Sequence, residues 1–231
     1  MRSGSLRIAA AAHDIFAYQG DALILPLLEG GEPLRGAVKT LDAALKGAIT
    51  RSLQQKGFRG KFSERCLLHP IGRLGVSHLL LIGLGKASEL TQDRLRQITG
   101  AALRQLRALR ARKVAIACHD SVWGHLTGQT VAQAIAEGAL LGLYRFDIYK
   151  GHATRDNIQE IESLTLLCKD EGAAQTLKLS IDLGEVLARS TNLARDLINE
   201  PANVLTPAEL AARARGVARR YGLAIRVLDR D

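Results

Sequence analysis

Short, unbroken apolar runs recur along the first 170 residues, and they leave this chain few architectures to choose from. Ala22 to Leu28 reads ALILPLL, and His78 to Ile82 reads HLLLI. A strand with apolar side chains on both faces must be covered on both faces, as in a sheet held between layers of helix. Leu6 to Ala12, Cys66 to His69, Lys113 to Cys118 and Leu164 to Cys168 complete a set of six expected strands. Segments of helical period separate them, which predicts an α/β fold with a mixed sheet flanked by helices. At 231 residues, with 47% hydrophobic and 24% charged side chains, the chain can bury a sizeable core. Disordered, collagen-like and coiled-coil architectures are excluded for most of it.

The helices follow from spacing. Leu41, Leu45, Ile49 and Leu53 recur every four residues and predict one helix that stops at Gly57. Between Asp93 and Lys113, Leu95, Ile98, Ala102, Leu106 and Leu109 form an apolar stripe. Arg96, Arg104, Arg107 and Arg110 fall on the opposite arc, giving a basic outer face. A third helix is expected to open at Thr130, with Gln133 completing a capping box. Its small residues at 134, 138 and 142 permit close approach to a neighbour. Gly172 to Ile198 then predicts a helix of about 26 residues, on the order of 40 Å long, which Pro201 ends. Thr206 as N-cap, Pro207 at the first helical position, Glu209 three residues on and Gly222 as stop define a last helix. Leu223 to Leu228 follows as an expected strand. The resulting division is 1–171 for the α/β domain, 172–200 for a linker helix and 201–231 for the start of a second domain. The alternative is that the last strand docks on the first sheet and makes one larger domain.

Chemistry-bearing motifs are sparse. Cys66, Cys118 and Cys168 lie about fifty residues apart in apolar runs with no CxxC pair, so buried reduced thiols and a reducing, cytoplasmic setting are expected. The start of the chain carries no signal pattern, and no stretch approaches the ~18 uncharged apolar residues of a membrane span. Cys118, His119, Asp120 and His125 are the one local cluster of ligand types, but their spacing suits neither a helical HExxH nor a finger. Gly83-Leu84-Gly85 lacks the third glycine of a dinucleotide fingerprint, so a tight turn after a strand is the better reading. Gly57 to Lys61 lacks the first glycine of a P-loop, and Ser77 lacks the flanking glycine of a nucleophile elbow. Asp196, Glu200 and Glu209 are close in sequence, two of them at helix ends where capping accounts for them. No catalytic and no metal-ligating constellation is visible. The net charge of +9 is concentrated early: residues 1–150 hold 21 Lys and Arg against 11 Asp and Glu.

One segment identifies a family. Asn192 to Pro207, NLARDLINEPANVLTP, closely resembles the junction at which the linker helix of the leucyl aminopeptidase (cytosol aminopeptidase) family enters its catalytic domain. FRGKFSE at Phe58 to Glu64, LLLIGLGKASELT at Leu79 to Thr91 and GLYRFDIYK at Gly142 to Lys150 agree in order and spacing. The resemblance implies a macro-like N-terminal α/β domain, a long connecting helix and a catalytic domain with two divalent metals, commonly zinc, manganese or magnesium. It also implies a hexamer with the N-terminal domains outside. Those metals activate water for attack on the first peptide bond. The family's Lys/Asp cluster and its Asn-Thr-Asp-Ala-Glu-Gly-Arg segment are absent from this sequence, and the tail offers only Asp229 and Asp231 as strand-end acids. No catalytic residue carries over, and the chain alone is expected to be a non-catalytic assembly module that hydrolyses no peptide.

Two other functions compete with that reading. Some bacterial family members bind DNA, and Arg96, Arg104, Arg107 and Arg110 offer a charged track. With only 4% aromatic residues, such binding would be backbone-driven and weakened by salt. The macro-like fold also raises ADP-ribose binding, with Tyr18 to Gly31 resembling the entry strand and loop. Pro26, Leu27 and Leu28 stand there where polar ribose contacts would be needed.

Overall fold

The computed structural model describes residues 6–30, 36–70, 72–118, 123–151 and 159–228. Its elements are β1 (Arg7–Ala12), β2 (Ala22–Leu28), α1 (Gly36–Ala44), α2 (Ala48–Lys56), β3 (Arg65–Leu68) and β4 (His78–Gly85), then α3 (Gln92–Ala108), β5 (Lys113–Ala117), α4 (Gly128–Gly142), β6 (Ser163–Cys168), α5 (Glu171–Asn199) and α6 (Pro207–Tyr221). Two compact units divide the chain, Met1–Arg189 and Ser190–Asp231.

In the first unit the strands form one sheet in the order β1-β6-β5-β2-β4-β3. Every neighbouring pair is parallel except β3 with β4. The apolar runs work as two-faced strands. On one face Ile24, Leu80, Ile82 and Leu84 pack with Leu95, Ile98, Leu103, Leu106, Ile135, Leu177 and Ile181 of α3, α4 and α5. On the other, Leu23, Leu25, Leu27, Leu79 and Leu81 meet Leu41 of α1, Leu45 just after it, and Ile49 and Leu53 of α2. The alternation of successive side chains across a strand produces both layers. Pro26 is tolerated inside this central strand, and the β2–β5 ladder stops at Ile24, two residues before it.

Several boundaries depart from the sequence expectation for local reasons. The helix expected through Leu41 to Leu53 is broken into α1 and α2, although all four apolar residues stay buried. Lys46 and Gly47 take positive φ at the break. Gly47 caps nothing with a side chain; the buried Asp42 carboxylate instead accepts from the Ile49 and Thr50 backbone N–H groups and from the Thr50 hydroxyl. α4 starts earlier than Thr130, because Thr127 is the N-cap and accepts from Thr130 N–H. Leu109 lies beyond the end of α3 and is exposed. Gly83-Leu84-Gly85 is neither a turn nor a phosphate loop but the end of β4. A Cβ at Gly83 would lie 2.0 Å from the Lys61 carbonyl oxygen, so glycine lets the Phe58–Glu64 segment close on the strand. Residues 223–228 form no strand. Among the described residues Leu223 makes one backbone bond, to the Ala218 carbonyl at the end of α6, and no neighbouring strand supplies a ladder.

The cap residues of α6 are those expected: Thr206 accepts from Glu209 N–H, Pro207 opens the helix and Gly222 closes it at φ 66°. Small residues bring α3 and α4 together, as their spacing predicts. A Cβ at Gly138 would meet the Arg96 carbonyl oxygen at 2.5 Å, and one at Gly142 would meet the Gly100 Cα at 2.3 Å.

Two substitutions test this packing. Replacing glycine in a helix gains about 1 kcal/mol or less of propensity, whereas forcing a side chain into backbone costs about 1–3 kcal/mol. Gly138→Val is therefore expected to lower the urea midpoint. Asp42→Ala strips three donors of their acceptor and is expected to cost about 1–3 kcal/mol in the same titration.

Candidate functional site

The carboxyl end of β2 opens on a cleft of about 320 Å³, lined by Leu27, Leu28, Glu29 and Gly30, by Leu53 of α2, and by Phe58, Arg59 and Gly60. Ligands of open α/β sheets bind beyond strand carboxyl ends. The loop that forms one wall is built from its own motif. Glu64 accepts from the Arg59 and Lys61 N–H groups at 3.0 Å each, and Gly60, at φ 74°, gives its carbonyl to Gly85 N–H. A Cβ at Gly60 would strike the Leu28 carbonyl at 2.6 Å. The walls from Leu27, Leu28, Leu53 and Phe58 are apolar, so the polar contacts that fix a ribose are not supplied by these four.

At the opposite end of the sheet Asp21 ties three strands together. Its carboxylate accepts from Arg112 and Lys113 N–H at 2.7 and 2.8 Å, while its carbonyl accepts from Ser77 and His78 N–H. Sequence reasoning missed it; the one available signal was an acid immediately before a buried strand. Tyr18 packs beside Gly20, and burial, with a smaller contribution from the Asp21 charge, pushes its phenol up to about 12.

The four arginines of α3 do not share one environment. Arg96 is half-buried and pairs with the buried Glu137 of α4, which also accepts from Gln133 at 2.7 Å. Arg104 and Arg107 donate to the Gly142 and Leu143 carbonyls at 3.3 and 2.9 Å, and Arg107 lies 3.6 Å from Glu160. Guanidinium groups thus satisfy carbonyls at the C-terminal end of α4, where the helix dipole favours positive charge. Arg110 sits past the helix at φ 61°. Arg104 and Arg110 are exposed, whereas Arg96 and Arg107 are not.

Among the polar residues singled out, His119, Asp120, Asp229 and Asp231 lie outside the described residues. Cys66 and Cys168 are buried, Cys118 is half-buried, and no disulfide joins any of the three. Burial pushes the Cys118 thiol well up and raises that of Cys168, each helped by neighbouring negative charge. Such thiols are poor nucleophiles. Glu200 and Glu209 are joined by Arg213, at 3.0 and 2.9 Å, rather than acting as independent caps. Among the described residues no three His, Cys, Asp or Glu side chains converge to hold a metal ion. The two-metal centre that the family resemblance implies has no donor set in them. No helix of the described residues is long and apolar enough to cross a membrane.

An exposed apolar stripe lies on α5. Ala174, Leu177, Ile181 and Gly184 face the body, with Gly184 so close to α4 that a Cβ would sit 2.7 Å from the Gln133 carbonyl. On the other side Leu179 is 80% exposed, Leu183 50% and Val186 61%, with Leu187 beside them. The second unit separately exposes Leu193, Ile198, Leu210, Tyr221, Leu223 and Leu228.

Comparisons with known proteins agree with this fold. A family model described as the N-terminal domain of the cytosol aminopeptidase family matches residues 24–152. A probable cytosol aminopeptidase of Alkaliphilus metalliredigens is 36% identical over 211 residues, which is 91% of this chain and 42% of that relative. Another, of Roseiflexus castenholzii, is 35% identical over 223 residues, 96% of this chain and 43% of that one. The chain thus spans less than half the length of these relatives. A tomato leucine aminopeptidase mutant has the same fold, with a TM-score of 0.82 at 24% identity over 96% of this chain and 43% of its own. The bottromycin maturation enzyme BotP, solved in complex with Mn, superposes with a TM-score of 0.65 at 25% identity, over 88% of this chain and 37% of its own. With more than half of its length matched by the N-terminal domain model, this chain belongs to the cytosol aminopeptidase family.

Proposed function

We propose that the chain is the non-catalytic N-terminal module of a cytoplasmic leucyl-type aminopeptidase, and that it contributes assembly rather than chemistry. In the parent enzyme two divalent ions, manganese, zinc or magnesium, would activate water to release N-terminal residues from peptides. The observation that carries the reading is the apolar stripe Leu179, Leu183, Val186 and Leu187 on a helix whose opposite face is buried from Ala174 to Ala188. Burying each such side chain is worth about 1.5–3 kcal/mol, and contiguous exposed apolar surface marks an interaction site. The match to less than half of each relative agrees with a module that works beside further protein. The occupant is the remainder of the family enzyme or another copy of this chain, within a homo-oligomer that the family forms as a hexamer.

Two results are expected. Incubated with a leucine chromogenic substrate and manganese, the 231-residue chain gives no turnover above buffer; metal-dependent turnover refutes the non-catalytic role. By light scattering after size exclusion, the chain associates as its concentration rises, and Leu183→Glu with Val186→Glu shifts it toward monomer. A wild-type chain that stays monomeric throughout contradicts the assembly role.

A further inference from the structure

Independently of that role, the loop end of the β3–β4 hairpin carries a constellation that neither the family match nor the cleft accounts for. β3 and β4 are antiparallel with Leu68 opposite Leu79, the last pair of the ladder. One step outward, the same register sets His69 opposite His78. Directly opposed residues of an antiparallel pair present their side chains on one face of the sheet. The two imidazoles do meet, with ring centroids 5.2 Å apart at 70° and Nδ1 to Nδ1 at 3.3 Å.

We propose that His69 and His78 form a two-histidine clip for one borderline divalent cation of the zinc, nickel or copper(II) class. Imidazole nitrogens bind zinc at about 2.0–2.1 Å, and two of them at a tetrahedral angle stand about 3.3–3.4 Å apart. The pair already has that separation. His69 is exposed and His78 half-exposed, so an ion reaches them from solvent. Imidazole donors select zinc, copper and nickel over magnesium and calcium, which take oxygen ligands. With no third His, Cys, Asp or Glu converging among the described residues, water completes the coordination.

The metal-free state is poised for this exchange. The Ser77 carbonyl lies 3.4 Å from His69 Nδ1, so the tautomer that satisfies it has His69 Nδ1–H donating and the His78 Nδ1 lone pair accepting. Burial and the adjacent His69 pull the His78 pKa down, against the opposing pull of Asp21. On binding, the His69 proton moves to Nε2, so two neutral imidazoles face the ion and no net proton is lost. Below the histidine range protons compete with the metal.

The test titrates the chelator-stripped 231-residue chain with zinc, nickel and copper(II) chlorides by calorimetry at neutral pH. At least one of the three ions is expected to bind with one equivalent that His69→Gln and His78→Gln each weaken by about tenfold or more. His125→Gln leaves it unchanged, and magnesium gives no such heat. Copper(II) electron paramagnetic resonance is expected to show coupling to two imidazole nitrogens, reduced in either variant. Absence of stoichiometric binding by all three ions, or a smaller loss in either variant, overturns the clip.

Discussion

Burial of β2 and β4 from both sides is the constraint on which the rest of this structure rests. Ile24 and Leu80 look into one apolar layer while Leu23 and Leu79 look into the other, so each strand is committed to helices above and below. Strands enclosed in this way have no water for their backbone, and every polar group near them must find an internal partner. Asp21 meets that demand at one end by joining the starts of β2, β4 and β5. The Phe58–Glu64 segment meets it at the other, bonding to Gly83 and Gly85 where the β3 ladder has ended. Gly83 and Gly60 are glycines because backbone approaches backbone there.

The architecture was largely legible in the sequence because apolar periodicity is a local record of a global fact. Six strands and the caps of α6 follow from runs, Thr206, Pro207 and Gly222. What escaped was decided by side chains reaching across the fold. The Leu41 to Leu53 spacing is the same whether one helix or two present it, and the break comes from Asp42 capping a helix seven residues away. Arginines opposite an apolar stripe read as solvated, yet Arg96, Arg104 and Arg107 reach the neighbouring α4. Residues 223–228 have strand-like composition, but a strand is a relation between two segments. The histidine pair was invisible for the same reason: His69 and His78 are nine residues apart, and only the β3–β4 register makes them neighbours.

The proposed division of labour draws on the parts of the chain that carry the family resemblance. The stretches that carry the resemblance are structural parts: the glycine-mediated latch at the end of β4, the Arg145 network with Asp147 and Glu160, and the turn between α5 and α6. Each positions backbone or closes a helix rather than presenting a nucleophile or a metal ligand. In the proposed assembly role the surface offered is the outward side of α5, whose inward side is pinned by Gly184 against α4.

Hydrogen–deuterium exchange measured over a range of protein concentrations tests that division most directly. The account has β2 and β4 strongly protected at every concentration, with protection rising as the chain is concentrated only around Leu179 to Leu187. Exchange there that is indifferent to concentration, or new protection confined to other surfaces, would contradict it.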